Sequence, residues 1–427
     1  MRKPVVIIGA GLAGLSAAWK LKDGFELFEA EDEVGGAART ISHSGFRYDL
    51  GPHVLYFKDQ GIREWVERIL EGRWDSQRRR ARVRIENETV DYPIQEGFMA
   101  SPKLKALFLE DMLESDGKVD GDSTFTKIAN AKFGKAMAES FFIPYNSKLF
   151  SHPLDEMDSR TANTFLPSFP KEDLHHLSHV AIKRRGLNAK FYYPSKVGIG
   201  TLPHSIVNNL GKDIRLSTRI AAINSKEKWV ETEKKERVFY SGLITTIPLP
   251  EFLSLCVDSP ESVRDLRHSL KSSGMTFVHF ALSKNLADDS HWTYYPSPDL
   301  AFHRTSIPAN YSKDMAPSNK CGIVTEVAFK SDIIPDFSAI LEKTKKDILK
   351  IGVIGSFAEL FSHDSKILRY AYVFPTKHSE DAKKTIHAHF GKYGIEFAGR
   401  YSRWEYGNME SVIVQGFEAA TRIRDCD

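Results

Sequence analysis

Residues 4–8 (PVVII) form a short unbroken apolar run, the pattern of a strand buried on both faces of a parallel sheet. An Ala-rich helical pattern follows over 15–21. A break at Lys22-Asp23-Gly24 leads to a second strand over 25–28 (FELF) that ends at Glu29. Residues 60–75 read as helix, and 82–92 alternate like a hairpin with Asn87 in the turn. From 101 to about 185 the signals are helical, with a polar break over 115–123. Tyr193-Pro194 and the Gly198–Leu202 stretch predict a turn into a helix, and 243–247 (LITTI) a strand returning to the first sheet. Three strand-like runs, FVHFAL, GIVTEVAF and ILRYAYVF, lie between 276 and 374 and predict an antiparallel sheet. A last helix is expected over 411–424. The implied organisation is a Rossmann-type nucleotide domain in pieces (1–80, 191–262 and 385–427), a helical insertion (81–190) and an antiparallel-sheet substrate domain (263–384).

Composition narrows the class without deciding it. The 427 residues are 41% hydrophobic and 27% charged, enough apolar material for two or three packed units. A net charge of +3 gives no reason to expect nucleic acid. The one dense basic run, Arg78-Arg79-Arg80 with Arg82 and Arg84, reads as a solvated strand end, with an anionic substrate or lipid as the alternatives. Cys256, Cys321 and Cys426 form no CxxC pair, so neither a disulfide framework nor a zinc site is expected. His175, His176 and His179 have helical spacing but no partner acid or thiol; a solvated face is expected and no metal. The absence of a leader pattern, and of any run of 18 or more uncharged apolar residues, predicts a soluble cytoplasmic chain without an integral membrane segment.

The first chemistry-bearing motif is Gly9-Ala10-Gly11-Leu12-Ala13-Gly14, set between the first strand and its helix. Gly9 permits the tight turn, Gly11 lets the backbone approach a pyrophosphate, and Gly14 lets the helix pack close to the sheet. The helix N-terminus offers unpaired N–H groups to phosphate. Glu29, ending the second strand, is placed to accept hydrogen bonds from a ribose. Gly35-Gly36-Ala37-Ala38-Arg39 and Gly45–His53 (GFRYDLGPH) extend the pattern. This extension resembles the fingerprint of the FAD-dependent amine-oxidase (GR2) superfamily, which implies FAD rather than a nicotinamide cofactor, with Gly35, Gly36, Arg39 and Gly51 continuing the cofactor site.

Five further segments, taken together, resemble the UDP-galactopyranose mutase family, in particular its eukaryotic-type branch. They are Tyr92-Pro93-Ile94-Gln95; Pro144–Phe150 (PYNSKLF); His303–Ser312 (HRTSIPANYS); Arg369-Tyr370-Ala371-Tyr372; and the 399–416 stretch around Arg400, Trp404, Tyr406, Gly407 and Asn408. The resemblance implies an isomerase that interconverts pyranose and furanose forms of a nucleotide-linked sugar, with reduced flavin N5 as nucleophile at the anomeric carbon. It needs reduced FAD, so an external reductant such as NAD(P)H is implied. A furanose product would serve polysaccharide or glycoconjugate synthesis. By motif position, Arg304 would hold the diphosphate, with Tyr372 and Tyr406 donating hydrogen bonds to it. Arg400 and Asn408 would lie near flavin and sugar, Ser411 with the helix that meets the cofactor, and His53 beside the flavin ring. Gln95, Tyr145, Asn146 and Tyr311 would line the substrate site. The pattern departs from the family at YPIQEG, at Arg160, which is out of register with the family's second diphosphate arginine, and at the shortened Tyr406-Gly407-Asn408.

Plain structural readings stand beside these. Tyr92-Pro93 suits a strand end, Tyr145 and Asn146 a core and a cap position, Arg304 an ion pair, and Trp404 packing. One of Tyr370 and Tyr372 is expected only to pack, and Tyr372 is the site candidate by motif position. The competing function is an FAD-dependent oxidoreductase of the protoporphyrinogen-oxidase, desaturase or amine-oxidase sort, which would need a large apolar tunnel.

Overall fold

The structure is a computed structural model, and it describes residues 3–115, 117–120, 123–167, 190–376 and 378–425. Its organising element is a four-stranded parallel sheet in the order Ile395–Phe397, Gly242–Thr245, Val5–Ile8, Phe25–Phe28. The apolar run at the start of the chain has both faces covered, as its pattern predicts. Val5 and Ile7 pack with the helices Leu12–Leu21 and Met409–Asp425, while Val6 and Ile8 pack with Leu249, Phe252, Ile386 and Phe390 on the other side. The expected return strand is the immediate neighbour of the first.

Two glycines set how closely these layers approach. A Cβ on Gly14 would lie 1.9 Å from the Gly9 carbonyl oxygen, so the first helix rests directly on the turn that begins it. A Cβ on Gly416 would lie 2.3 Å from the Ala13 carbonyl oxygen, so the last helix crosses the first at van der Waals contact.

The second unit is a seven-stranded sheet in the order Leu360–Val373, Ser272–Leu282, Cys321–Lys330, Arg304–Ser306, Trp292–Tyr294, Ala81–Ile85, Glu88–Asp91. It is antiparallel except where Trp292–Tyr294 runs parallel to the strand beginning at Ala81. Ser272–Leu282 is buried along its whole length because both faces are covered. Met275, Phe277 and Ala281 meet a helical layer; Val278, Phe280 and Leu282 meet the helix Phe337–Lys350. That helical layer includes Pro102–Glu114, Phe125–Phe133, Ile143–Phe150 and Ser159–Phe165, interrupted at the expected polar break. The hairpin over 82–92 also forms, with Glu86 and Asn87 both at positive φ in its turn, and its strands join this sheet.

The reading of 60–75 as one helix is corrected. The helix is Gln60–Ile69, capped by the Asp59 side chain accepting from the Ile62 N–H at 2.9 Å. Glu71 and Gly72 take positive φ and stop it, and Trp74–Arg78 becomes a strand paired with Lys190–Pro194. The Trp74 ring stacks on Tyr192 at 4.6 Å, a long-range contact that overrides local periodicity. His175, His176, His179 and Cys426 lie outside the described residues; Cys256 and Cys321 are buried and free. No helix among the described residues is long and apolar enough to cross a membrane.

The Gly14 contact gives a test of the whole layer arrangement. Gly14→Ala places a methyl against a backbone oxygen that cannot move aside, and is expected to lower unfolding free energy by roughly 3 kcal/mol. The measurement is a urea melt together with the bound-flavin content, and both should fall.

Candidate active site

One large cavity, of about 580 Å³, runs from the glycine turn of the first strand to the face of the seven-stranded sheet. At one end it is lined by Gly9, Gly11, Glu29, Gly35 and Gly36. Gly9 has φ +99, and a Cβ there would lie 2.3 Å from Thr246 Oγ1; a Cβ on Gly11 would be 4.0 Å from the Gly36 Cα. Side chains at these positions would fill the space, so the cradle is made of backbone. Glu29 accepts from the Ala10 N–H at 2.7 Å and the Glu31 N–H at 3.0 Å, which fixes its carboxylate at the strand end. A cradle of this form fits a dinucleotide pyrophosphate and its ribose.

The other end holds His53, Tyr56, Arg304, Glu326, Tyr372, Arg400, Tyr406 and Asn408 over a floor that includes Leu50, Phe277 and Ala371. Arg304 leaves its short strand and forms a two-pronged bond with the buried Glu326, Nε to Oε1 at 2.7 Å and Nη2 to Oε2 at 2.6 Å. Nη2 also reaches the Tyr372 hydroxyl at 3.4 Å. Burial opposes the Arg304 charge, but the adjacent carboxylate outweighs it and raises the guanidinium pKa. Arg400 donates to the Gly407 carbonyl and, at 3.1 Å, to the Ala371 carbonyl. Its guanidinium lies 4.5 Å from the Tyr406 ring centre. The Tyr372 and Tyr406 rings are nearly parallel, 6.2 Å apart, and burial raises the Tyr372 pKa, so that this phenol is a donor at neutral pH.

Burial, with Arg400 and Arg304 nearby, holds the His53 imidazole down to about 4, so it is neutral at physiological pH. Its Nδ1 is buried without a protein partner among the described residues.

Seven of the residues singled out from sequence lie off the lining. Gly14 acts behind it, through packing. Arg39 turns to the Gly36 carbonyl at 2.8 Å and to Glu33 at 3.5 Å. Ser411 bonds to Asn408, as the capping partner of the last helix. Asn146 is not a cap: it lies inside the helix Ile143–Phe150 and donates to the Phe142 carbonyl four residues back at 2.7 Å. Gln95 is 3% exposed with Oε1 unpartnered among the described residues. Tyr145 and Tyr311 are close behind the wall. Tyr145 meets the His303 ring edge-on at 5.6 Å, and Tyr311 keeps a buried, unpartnered hydroxyl near Arg304. Of the tyrosine pair, Tyr370 packs on Trp404 at 5.9 Å and Tyr372 reaches the cavity. Arg160 is tied to Asp158 and Glu380, away from it.

Two wall residues, Glu326 and Tyr56, escape the motif reading, and Arg79 of the basic run stands beside one of them. Glu326 is an acid in an otherwise apolar strand, GIVTEVAF, and a charge in such a strand is itself a signal of a buried partner. Tyr56 follows His53 by three residues, and burial raises its pKa to about 12. Arg79 hydrogen-bonds to Tyr56 and lies 5.2 Å from the Tyr92 ring centre, whose neighbour at 4.8 Å is Tyr294. Three others of the basic run are held elsewhere: Arg80 by Asp289, Arg82 by Asp288 and Asp289, and Arg84 by the Ile351 carbonyl. Among the described residues no cluster of metal-ligating side chains occurs.

Removing one member of a buried ion pair strands the other. Glu326→Ala is expected to lower unfolding free energy by roughly 3 to 5 kcal/mol. Glu326→Gln keeps the shape, costs less, and should bind inorganic pyrophosphate more tightly because the wall becomes more positive. Denaturant melts and a flavin absorbance titration measure both; tighter binding absent in the Gln variant would contradict this charge assignment.

Comparison with known proteins agrees with the cradle. The family described as flavin containing amine oxidoreductase matches residues 12–424. An L-amino-acid oxidase of Protobothrops flavoviridis is 23% identical over 99% of this chain and 88% of its own length. A 1-hydroxycarotenoid 3,4-desaturase of a Flavobacterium species is 25% identical over 73% of this chain and 68% of its own. The crystal structure of a reduced UDP-galactopyranose mutase superposes with a TM-score of 0.90 at 23% identity, covering 100% of this chain and 95% of that one. The cofactor that fits the glycine cradle is therefore FAD, and the chain belongs to the flavin-containing amine oxidoreductase family.

Proposed function

We propose that the protein is a flavin-dependent pyranose–furanose mutase, an isomerase acting on a nucleotide-diphosphate sugar of the UDP-galactopyranose kind. The observation that carries this reading is the charge of the wall opposite the cradle. Two half-buried guanidiniums, Arg304 and Arg400, share this end of the cavity with one carboxylate, Glu326, and two phenols, Tyr372 and Tyr406, stand beside them. A net positive, hydrogen-bond-rich wall suits an anion. It disfavours a cationic amine, which like charges repel across a medium of low dielectric, and it is not the apolar tunnel that a polyene requires.

Reduced FAD, when bound, supplies a nucleophile toward the anomeric carbon of the sugar. The chain's own residues bind and orient. Arg304, held in place by Glu326, grips the diphosphate and stabilises it as it departs and returns. Tyr372 and Tyr406 donate hydrogen bonds to the same oxygens. Arg400 cannot swing away, because two carbonyls hold it, so its charge is fixed at the site. His53, being neutral, adds no charge and is available to hydrogen-bond at the flavin edge.

The names of the curated relatives favour a second reading, an FAD-dependent oxidase or desaturase. Turnover separates the two. With dithionite-reduced enzyme under nitrogen, UDP-galactofuranose should convert to the pyranose, and oxidised enzyme should do nothing. Arg304→Ala should lower kcat/KM by about a thousandfold. No conversion by the reduced enzyme, together with substrate-dependent oxygen uptake by the oxidised one, would establish the oxidase instead.

A further inference from the structure

The last helix carries a carboxylate that the cavity does not use. Glu410, its second residue, is 8% exposed, and its Oε1 accepts from two consecutive backbone N–H groups, Lys58 at 2.6 Å and Asp59 at 2.7 Å. These partners stand some 350 positions away in sequence. They are also the residues that open the helix Gln60–Ile69, where Asp59 is the N-cap. One carboxylate therefore sits at the N-terminal ends of two helices, its own and the one it grasps, and each end has a partial positive charge and unpaired N–H groups. Charge-assisted bonds of this length are the strong kind.

What lies on either side gives the contact its meaning. The segment Gly51–Lys58 bears His53, Val54 and Tyr56 on the cavity wall. It closes a tight turn at its start, and its backbone is tied to other elements at two places. The His53 N–H donates to the Gly51 carbonyl at 2.8 Å. Leu55 exchanges both backbone hydrogen bonds with Tyr192, at 2.9 and 3.0 Å. Its far end is held by Glu410. On the other side, the residues just before Glu410, namely Tyr406, Gly407, Asn408 and Met409, form the facing part of the wall. Glu410 joins the two walls through bonds to backbone that no substitution at Lys58 or Asp59, short of proline, would remove.

We infer that Glu410 is a positioning residue: a clasp between the C-terminal helix and the 51–59 segment that holds the two sides of the flavin site in register. The inference rests on the FAD site alone and is independent of which substrate the enzyme takes. Without the clasp, the 51–59 segment keeps its Leu55–Tyr192 bonds and the Phe57 contact with Trp74, but its far end opens more often and the flavin loses an ordered wall.

The test uses the FAD-loaded protein. In Glu410→Ala, amide hydrogen exchange over 51–59 should rise about tenfold, and flavin should dissociate about tenfold faster, with exchange in Val5–Ile8 unchanged. Glu410→Gln, whose amide oxygen still accepts both N–H groups, should restore most of the protection and the visible flavin circular dichroism band. If the Ala variant does not fold, Glu410→Asp, one methylene short of its partners, should show the same local pattern with a smaller amplitude. Three results would overturn the clasp: unchanged exchange at Lys58 and Asp59, exchange raised uniformly along the chain, or a loosened segment with unchanged flavin release. Failure of UDP-galactofuranose turnover would bear on the substrate reading and leave this result untouched.

Discussion

A guanidinium taken out of water at the end of a strand is costly, by several kcal/mol, unless a carboxylate meets it squarely. Arg304 and Glu326 meet in that way, side by side on neighbouring strands, with Arg304 directly opposite Glu326 in the sheet register. The pair does two things at once. It allows a cation to be buried in the wall of a cavity, and it holds that cation still, so that little ordering remains to be done when a ligand arrives. Much else in the site is arranged around it. Tyr372 touches the Arg304 guanidinium, His303 lies behind Glu326, and the tight Gly51 turn crosses above it, where a Cβ would come within 3.3 Å of the carboxylate. His53 stays neutral partly because this charge and that of Arg400 are close.

The glycine cradle and the charged wall come from parts of the chain far apart in sequence. The parallel sheet is completed by strands near residues 5, 25, 242 and 395, and the helix after the last of these packs back on the first helix at Gly416. Each return of the chain delivers wall residues: Glu29 and Gly36 on the first pass, Thr246 on the second, Arg400 and Asn408 on the third. Arg304, Glu326 and Tyr372 come from the second sheet. The cavity is thus the seam between two packed sheets, and the contacts that hold the seam closed are as much a part of the site as the residues that line it.

How much of this was legible in the sequence follows the range of the interaction. The turn Gly9–Gly14, its strand and its helix are local, and periodicity with glycine placement finds them. Arg304, Arg400, Tyr372 and Tyr406 were found by resemblance, since nothing in their own neighbourhoods marks them, and the structure brings these four to one wall. Arg39 and Asn146 belong to the resembling segments but turn their side chains to carbonyls three and four residues back, Gly36 and Phe142, while Gln95 is buried off the lining. The helical reading runs two residues into the strand Trp74–Arg78, because the strand's pairing partner, Lys190–Pro194, is more than a hundred residues distant. Glu326 and Glu410 carried no local signal beyond a charge among apolar neighbours; their meaning lies in acceptor geometry across the fold.

The central claim is that the wall selects anions. The most direct measurement is a flavin difference-absorbance titration of the oxidised protein with UDP and, separately, with a diamine of similar length, at low and at moderate salt. The account predicts that UDP perturbs the flavin spectrum, more weakly as salt rises, and that the diamine has no effect. A saturable perturbation by the diamine, with none by UDP, would contradict it.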